Sequence, residues 1–357
     1  MTAGTAAHGF WAEAWRRYRR RPLAMGALLF VAFLVTVAVF APAIAGTKPV
    51  ICRYKGRLYA PCLGYFDRRW EPAIFAKDKF RGTYPANLKA KDPDSWAVWP
   101  LFFQDPYRSV RADEWPGRPE NPAKDEGRPS RVNLFGTDQA GVDVLAKMVH
   151  GTTIALLVGF VSMGIAGTIG ILVGAIGGYF GGWVDTITSR ATEIVMCIPT
   201  LVLILAIIAI LEKPTIWHTM AIIGATGWTG IARLTRGEFL RLKNAEFVMA
   251  ARAAGAGPLR IMLRHILPNA LAPVLVPITF GIASAILTES SLSFLGFGPP
   301  PPTASWGSIL NDARSNLTMW WLVVFPGLAI FLTVLAYNLV GEGLQEATDP
   351  RLREARK

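Results

Sequence analysis

The sequence has little of what catalysis, metal binding or nucleic-acid binding would need. Charged residues make up only 17% of its 357 positions, and it holds three cysteines and four histidines. The histidines, His8, His150, His218 and His265, are dispersed, and none falls at a ligand spacing with a cysteine, so neither a zinc nor a haem site is indicated. HExxH and GxSxG are both missing, which removes two common hydrolytic constellations. Nor is there any Gly-Lys dipeptide, so the phosphate-cradling GxxxxGK[ST] loop is excluded and this chain has no nucleotide-binding motif of its own. The apolar runs are almost free of ionisable residues and show no internal repeat, which disfavours a secondary transporter driven by protons or sodium, the alternative transport class.

What the sequence has is apolar length. Hydrophobic residues reach 52% and mean hydropathy is +0.34, too apolar for a soluble enzyme of this size. The net charge of +12 would point to nucleic acid in a soluble protein. Here the basic residues lie between apolar runs, where they set membrane topology instead. Crossing a bilayer takes about 20 helical residues. Six stretches qualify: 22–45, 151–184, 194–211, 214–232, 266–288 and 315–341. The expected fold is therefore an all-α polytopic membrane protein with six transmembrane helices.

Orientation follows from short basic loops. RRYRRR precedes the first run, seven Lys or Arg lie between Arg233 and Arg264, and the chain ends RLREARK. An even number of spans puts all three on one side, expected to be cytoplasmic. This divides the chain into a basic N-terminus 1–21, a first transmembrane helix 22–45, an extracytoplasmic insertion with a pre-membrane helix 46–149, a transmembrane domain 150–341 and a cytoplasmic tail 342–357.

The insertion opens ICRYKGRLYAPCLGYF, whose alternation around Lys55-Gly56 predicts a β-hairpin. Its later part, EWPGRPENPAKDEGRPS, reads as flexible. Cys52 and Cys62 both fall in it, where oxidation is permitted; a disulfide and two free thiols both remain open.

In the second run, Gly170, Gly174, Gly178 and Gly182 recur every four residues on one helix face. Such a stripe allows close helix packing; a glycine-lined translocation path is the alternative. Pro199, Pro273, Pro277 and Pro326 interrupt other runs and bend them. Glu289, in LTESSLSFLG, is read as a structural acid at the outer interface accepting hydrogen bonds from the following serines. His218 and Glu193 sit at span ends.

The most polar passage between later runs is NAEFVMAARAAGAGPLRIMLRHILPN, residues 244–269. Asn244 can cap a helix with Glu246 in its first turn. Phe247, Ala250, Ala251 and Ala254 fall on one narrow face. Gly255 suits a left-handed C-terminus and Gly257-Pro258 a new start, after which Leu259, Met262, Leu263 and Ile266 should line one side, with Arg260 and Arg264 on another. Two short helices joined at a sharp bend make a knob on the cytoplasmic face.

That passage resembles the coupling-helix motif of ABC-importer permeases. Ala250 and Ala251 match its alanine pair, Gly255 its glycine and Leu267-Pro268 its ending, while Met249 stands where the motif has Glu and Glu246 lies one turn earlier. RHILPN is typical of the dipeptide, oligopeptide and nickel branch. NLFGTDQAGVDVLAKMVHGTTIAL, GGYFGGWVD, SLSFLGFGPPPPTASWGSIL and FPGLAIFLTVLAYNLVGEGLQEATDPR resemble its second, C-type permease subunit. The resemblance implies a type I ABC importer permease fold in the cell inner membrane, a coupling helix at 244–257, and a docking role for Glu246, Ala250, Ala251, Gly255, Arg264 and Pro268. It also implies a second permease subunit, two ABC ATPase subunits carrying ATP and magnesium, and an extracytoplasmic substrate-binding protein. No cofactor is expected on this chain. The implied cargo is oligopeptides or dipeptides, with peptide antibiotics or nickel chelates as variants.

Overall fold

The computed structural model describes residues 10–80, 83–115, 119–123, 126–212, 214–300 and 303–348. They begin with α1 (Phe10–Tyr18), followed by α2 (Pro22–Val39) and a single turn, α3 (Ala41–Ile44). The insertion then folds as β1 (Ile51–Tyr54), β2 (Arg57–Tyr59), α4 (Ala73–Lys77), α5 (Tyr84–Lys91) and β3 (Trp96–Val98). Every later named element is helical: α6 (Val144–Phe180), α7 (Gly182–Met196), α8 (Thr200–Ile210), α9 (Ile216–Thr226), α10 (Thr229–Leu242), α11 (Glu246–Ala253), α12 (Pro258–Arg260), α13 (Leu267–Phe294), α14 (Trp306–Asp312) and α15 (Trp321–Thr348). Uncharged runs close into helix because lipid offers their backbone groups no other partners.

Among the described residues, four helical stretches are long and apolar enough to cross a membrane: α2, α6, the continuous helix Pro258–Phe294, and α15. A fifth arises if α7 and α8 count as one span, although they meet at an angle of 81°. Length and composition alone therefore do not reach the six transmembrane helices expected, for two reasons. The run 194–211 is broken because Pro199 caps α8, so Ile194–Met196 belong to α7. The run 214–232 is divided at Gly227-Trp228, and its first part, α9, is eleven residues or about 17 Å, short of a hydrocarbon core of roughly 30 Å. The run 151–184 also ends early, at Phe180, where Gly181 and Gly182 both take positive φ.

The chain forms two compact units, whose boundaries fall within α2, α6, α13 and α15. The first comprises residues 1–32, 157–288 and 332–357. In it the start of α2 meets α15: Arg21 pairs with Glu346, and Gly343 lies against Ala24 and Tyr18. Tyr18 donates to the Ala24 carbonyl at 2.9 Å. The segment 351–357 lies outside the described residues.

The second unit, 33–156 and 289–331, contains the insertion. The hairpin at Lys55-Gly56 is present, with φ of +48° and +76° at the two turn residues, the geometry whose twist suits a two-residue connection. The sheet order is β2-β1-β3, all antiparallel, with Cys52 opposite Tyr59 and Ala97. Cys52 and Tyr54 point into a core built with Phe75, Phe80, Tyr84 and Leu88 from the α4–α5 side. Burial raises the Cys52 thiol to about 11 and pushes Cys62 up as well; both thiols are free, and Cys62 Sγ lies 3.4 Å from the Val50 carbonyl oxygen.

The stretch read as flexible is largely exposed where it is described. It is tied down at Glu114, which pairs with Arg108, and at the buried Asn121, and buried polar pairs fix the segments on either side. Asn121 and Gln104 exchange amide hydrogen bonds, and Asn133 Nδ2 donates to Asp143 at 2.7 Å. Thr47 Oγ1 and Tyr65 OH both donate to Asp105, at 2.8 and 2.9 Å. Buried pairs of this kind fix a loop that composition alone would leave open. Further along the unit, Lys147 bridges Asp138 and Asp312, and Trp321 Nε1 donates to the Thr137 carbonyl.

Candidate functional site

The knob is built by a helix stop that the sequence encodes closely. Ala254 caps α11 at its C-terminus, and Gly255 follows at φ +82°. The Gly255 N–H donates to the Arg252 carbonyl and the Ala256 N–H to the Ala251 carbonyl, both at 3.0 Å. This double closure is the Schellman arrangement, and it needs a left-handed residue at Gly255. Pro258 then opens α12, where its missing donor is no loss.

The N-terminal cap differs from expectation. Ala245, with φ −72° and ψ 149°, is the N-cap and gives no side-chain bond, so Asn244 does not cap the helix. Glu246 stays in the first turn, exposed, where its charge still complements the positive helix end.

The second half of the knob also buries a different face. Of the four residues expected on one side, Leu259 and Leu263 are 71% and 56% exposed, while Met262 and Ile266 are buried together with Ile261. The cause is a π-helical turn over Ile261–Ile266, in which the Leu267 N–H reaches back to the Met262 carbonyl. A five-residue closure widens the turn, so the 3.6-residue pattern loses phase. Pro268, in the first turn of α13, has no N–H to give and crowds the carbonyl four residues back, which favours that widening.

One apolar cluster anchors the knob. Val248 of α11 and Ile261, Met262 and Ile266 pack with Phe239 and Leu242 of α10 and Ala175 of α6. Burying Val248 alone contributes about 1.5–3 kcal/mol. Outward, the knob shows Phe247, Met249, Ala250, Leu259 and Leu263, with Ala251 half-buried and Gly255, Arg264 and Pro268 exposed. Among the described residues, neither Glu246 nor Arg264 forms an ion pair. The result is an apolar surface ringed by Arg252, Arg260 and Arg264, a shape suited to a protein groove.

Helix α10 connects that anchor to the glycine stripe. A Cβ on Gly170 would meet Ile231 and the Trp228 carbonyl oxygen at 2.8 Å, one on Gly174 the Ala232 carbonyl oxygen at 2.4 Å, and one on Gly178 the Arg236 carbonyl oxygen at 2.7 Å. Two helices meet there backbone to backbone, as small-residue faces permit. Gly182 lies outside the stripe, in the turn after Phe180. Arg236 of α10 forks onto Asp185 of α7, with Nη2 2.7 Å from Oδ2, a contact that residue spacing gave no means of finding.

Beside this interface is a groove of about 970 Å³, lined by Arg233, Glu238 and Arg241 of α10 and by Pro273, Pro277 and Phe280 of α13, among others. It offers charged groups on one wall and an apolar surface on the other. Glu289 is buried elsewhere, accepting from Ser293 Oγ at 2.6 Å. His218 Nδ1 accepts from the Thr215 N–H at 3.1 Å at the start of α9, and Glu193 pairs with Arg190, so both have local structural partners. No group of three potential metal ligands occurs among the described residues.

The chain is similar to known proteins over much of its length. Residues 168–354 match the family model of the binding-protein-dependent transport system inner membrane component, and residues 9–56 match the N-terminal TM domain of oligopeptide transport permease C. A dipeptide transport system permease protein of Haemophilus influenzae is 41% identical over 222 residues, which is 62% of this chain and 75% of that relative. The dipeptide permease protein of Bacillus subtilis is 39% identical over 227 residues, covering 63% and 71%. A di/tripeptide permease protein of Pseudomonas aeruginosa is 41% identical over 231 residues, covering 64% and 76%. With one model covering more than half its length and relatives aligned over most of theirs, the chain belongs to the family of binding-protein-dependent transport system inner membrane components.

Proposed function

We propose that this chain is the C-type permease subunit of an ABC importer that moves dipeptides or oligopeptides across the cytoplasmic membrane. A second, different permease subunit completes the pathway, two ATPase subunits carrying ATP and magnesium dock on the cytoplasmic side, and an extracytoplasmic binding protein delivers the peptide. The observation that carries this reading is the glycine-capped knob with an apolar outer surface, on a chain whose relatives are named as dipeptide and di/tripeptide permeases.

Knob movement has a mechanical route. An ATPase groove holding Phe247, Met249, Ala250 and Ala251 would displace α11 when the ATPases close. Val248 would carry that displacement to Phe239 and Leu242, and α10 would carry it to the stripe on α6. Close-packed contacts transmit such shifts because they cannot compress. The groove lined by Arg233, Glu238 and Phe280 is where we place the peptide's path through this subunit. In this topology α8 and α9 form short crossings, the total is even, and both termini and the knob face the cytoplasm.

Reconstitution of the four-component complex with its binding protein tests the reading. ATP hydrolysis should rise when peptide-loaded binding protein is added, and labelled peptide should accumulate only with ATP. Uptake by the permease subunits alone, driven by an ion gradient, would establish the secondary-transporter class instead.

A further inference from the structure

Among the described residues, the insertion's sheet is covered on one side only. Cys52 and Tyr54 face the core beneath α4 and α5, while the residues between them in the alternation face out. Strand register assigns the open face: Ile51 lies opposite Val98, and Arg53 lies between Leu58 on one neighbour and Trp96 on the other. Four of these five are apolar, and Leu58 and Trp96 are 66% and 46% exposed. Arg53 has no carboxylate partner among the described residues.

The same sheet is strapped to the end of the first membrane helix. The Leu101 N–H donates to the Ala43 carbonyl at 3.0 Å, the Phe102 N–H to the Ile44 carbonyl at 2.8 Å, and the Val50 N–H to the Val98 carbonyl at 2.8 Å. Only six residues lie between Ile44 and Ile51, so β1 starts within about 25 Å of the helix end even if that link is fully extended. Leu101, 77% exposed, is strapped to Ala43, close in sequence to Phe40, and Phe33, Val35 and Val39 are exposed near the C-terminal end of α2. Residues 46–102 carry 11 Lys and Arg against 5 Asp and Glu, a net of +6.

From this we infer that the open sheet face (Ile51, Arg53, Leu58, Trp96 and Val98) rests on the phospholipid headgroup layer on the side where α2 emerges, with Arg53 holding anionic headgroups. Aromatic rings and long basic side chains are the groups that settle at this depth, the ring buried in the boundary and the charge reaching the phosphates. A positive domain held close to an anionic surface is drawn onto it. A protein partner would need no attachment to the span, whereas a lipid-resting face requires one.

The test uses the full-length chain in nanodiscs of phosphatidylcholine, alone or mixed with phosphatidylglycerol. In a Cys197→Ser background, Leu58→Cys carries an environment-sensitive fluorophore; Lys77→Cys, exposed on α4 across the core, is the reference. Lipids brominated in the acyl chain should quench the Leu58 label and leave the Lys77 label unaffected, and aqueous iodide should do the reverse. Arg53→Gln, which breaks no ion pair, should lower the docked-to-free ratio about fivefold in the mixed discs and little in phosphatidylcholine alone. Equal iodide access for both labels in both lipids would overturn the inference. So would shielding of Leu58 that appears only when the binding protein is added, since the face would then be a protein interface.

Discussion

Replacing Gly255 separates a shaped knob from a passive loop. Nothing lies within 4 Å of the position a Cβ would take there, so a substitution meets no neighbour and its whole cost is the backbone at φ +82°. An L-residue pays about 1–2 kcal/mol in that region, with β-branched residues at the upper end. Against this stand the two closing hydrogen bonds, from Gly255 and Ala256, contributing about 1 kcal/mol each. Strain and closure are therefore comparable, and Gly255→Val should open the turn in much of the population. A 2 kcal/mol shift corresponds to roughly 30-fold in the competent fraction and in apparent affinity for the ATPases. Gly255→Ala should cost about fivefold, and Gly255→Asn less, because asparagine tolerates the left-handed region. The measurements are ATPase binding to nanodisc-held permease and peptide-stimulated ATP hydrolysis, with membrane insertion unchanged. Normal coupling in Gly255→Val would refute the reasoning. A loss in Gly255→Asn equal to that in Gly255→Val would show that free space above the turn matters, not its backbone.

Other expectations follow from the same contacts. Gly174→Val must push α6 and α10 apart at the Ala232 carbonyl and should destabilise the detergent-solubilised protein by roughly 1–3 kcal/mol, seen as a lower melting midpoint, while Gly164→Val on the same helix, with no neighbour within 4 Å, should be near neutral. Cys52, with its thiol near 11, is about one part in a thousand thiolate at pH 8, so its alkylation should be slow and should accelerate about tenfold per pH unit up to that value. Unfolding without reductant should expose three alkylatable cysteines; a deficit of two adducts would reveal a Cys52–Cys62 bond. Single-cysteine probes at Arg19 and Lys243 should label from the cytoplasm and one at Lys77 from outside, with Lys243 labelling from outside refuting the docking geometry. Gly127 is a poor site for such a probe, because a Cβ there would fall 2.1 Å from Thr137 Oγ1.

Much of this was legible because it is written in local rules. The Lys55-Gly56 turn and the Gly255 stop are backbone requirements that short motifs state directly. Long apolar runs gave α2, α6, α13 and α15, and Pro199 marked a bend, but hydropathy does not see direction, so the size of that bend and the division at Gly227 had no signal in a count of uncharged residues. The exposed positions of Leu259 and Leu263 have one cause, a π turn beside Pro268 whose five-residue closure a 3.6-residue pattern does not register. The Asp185–Arg236 fork and the Thr47–Tyr65–Asp105 cluster join residues 18 to 58 positions apart in sequence, which periodicity cannot pair.

The strap between residues 43–46 and 101–102 has an architectural consequence. Gly46 donates to the Phe102 carbonyl, so the chain leaves the first helix and returns to it at nearly the same point. A segment with touching ends behaves as a cassette: it can be lengthened, shortened or exchanged without moving what flanks it. Neither family model reaches residues 57–167, which contain most of this cassette. Its seam is not free of ties, since Asp105 outside it takes hydrogen bonds from Thr47 and Tyr65 within. Excising 47–100 would leave that carboxylate buried without either hydroxyl donor, so a viable swap has to supply two replacements or remove Asp105 as well.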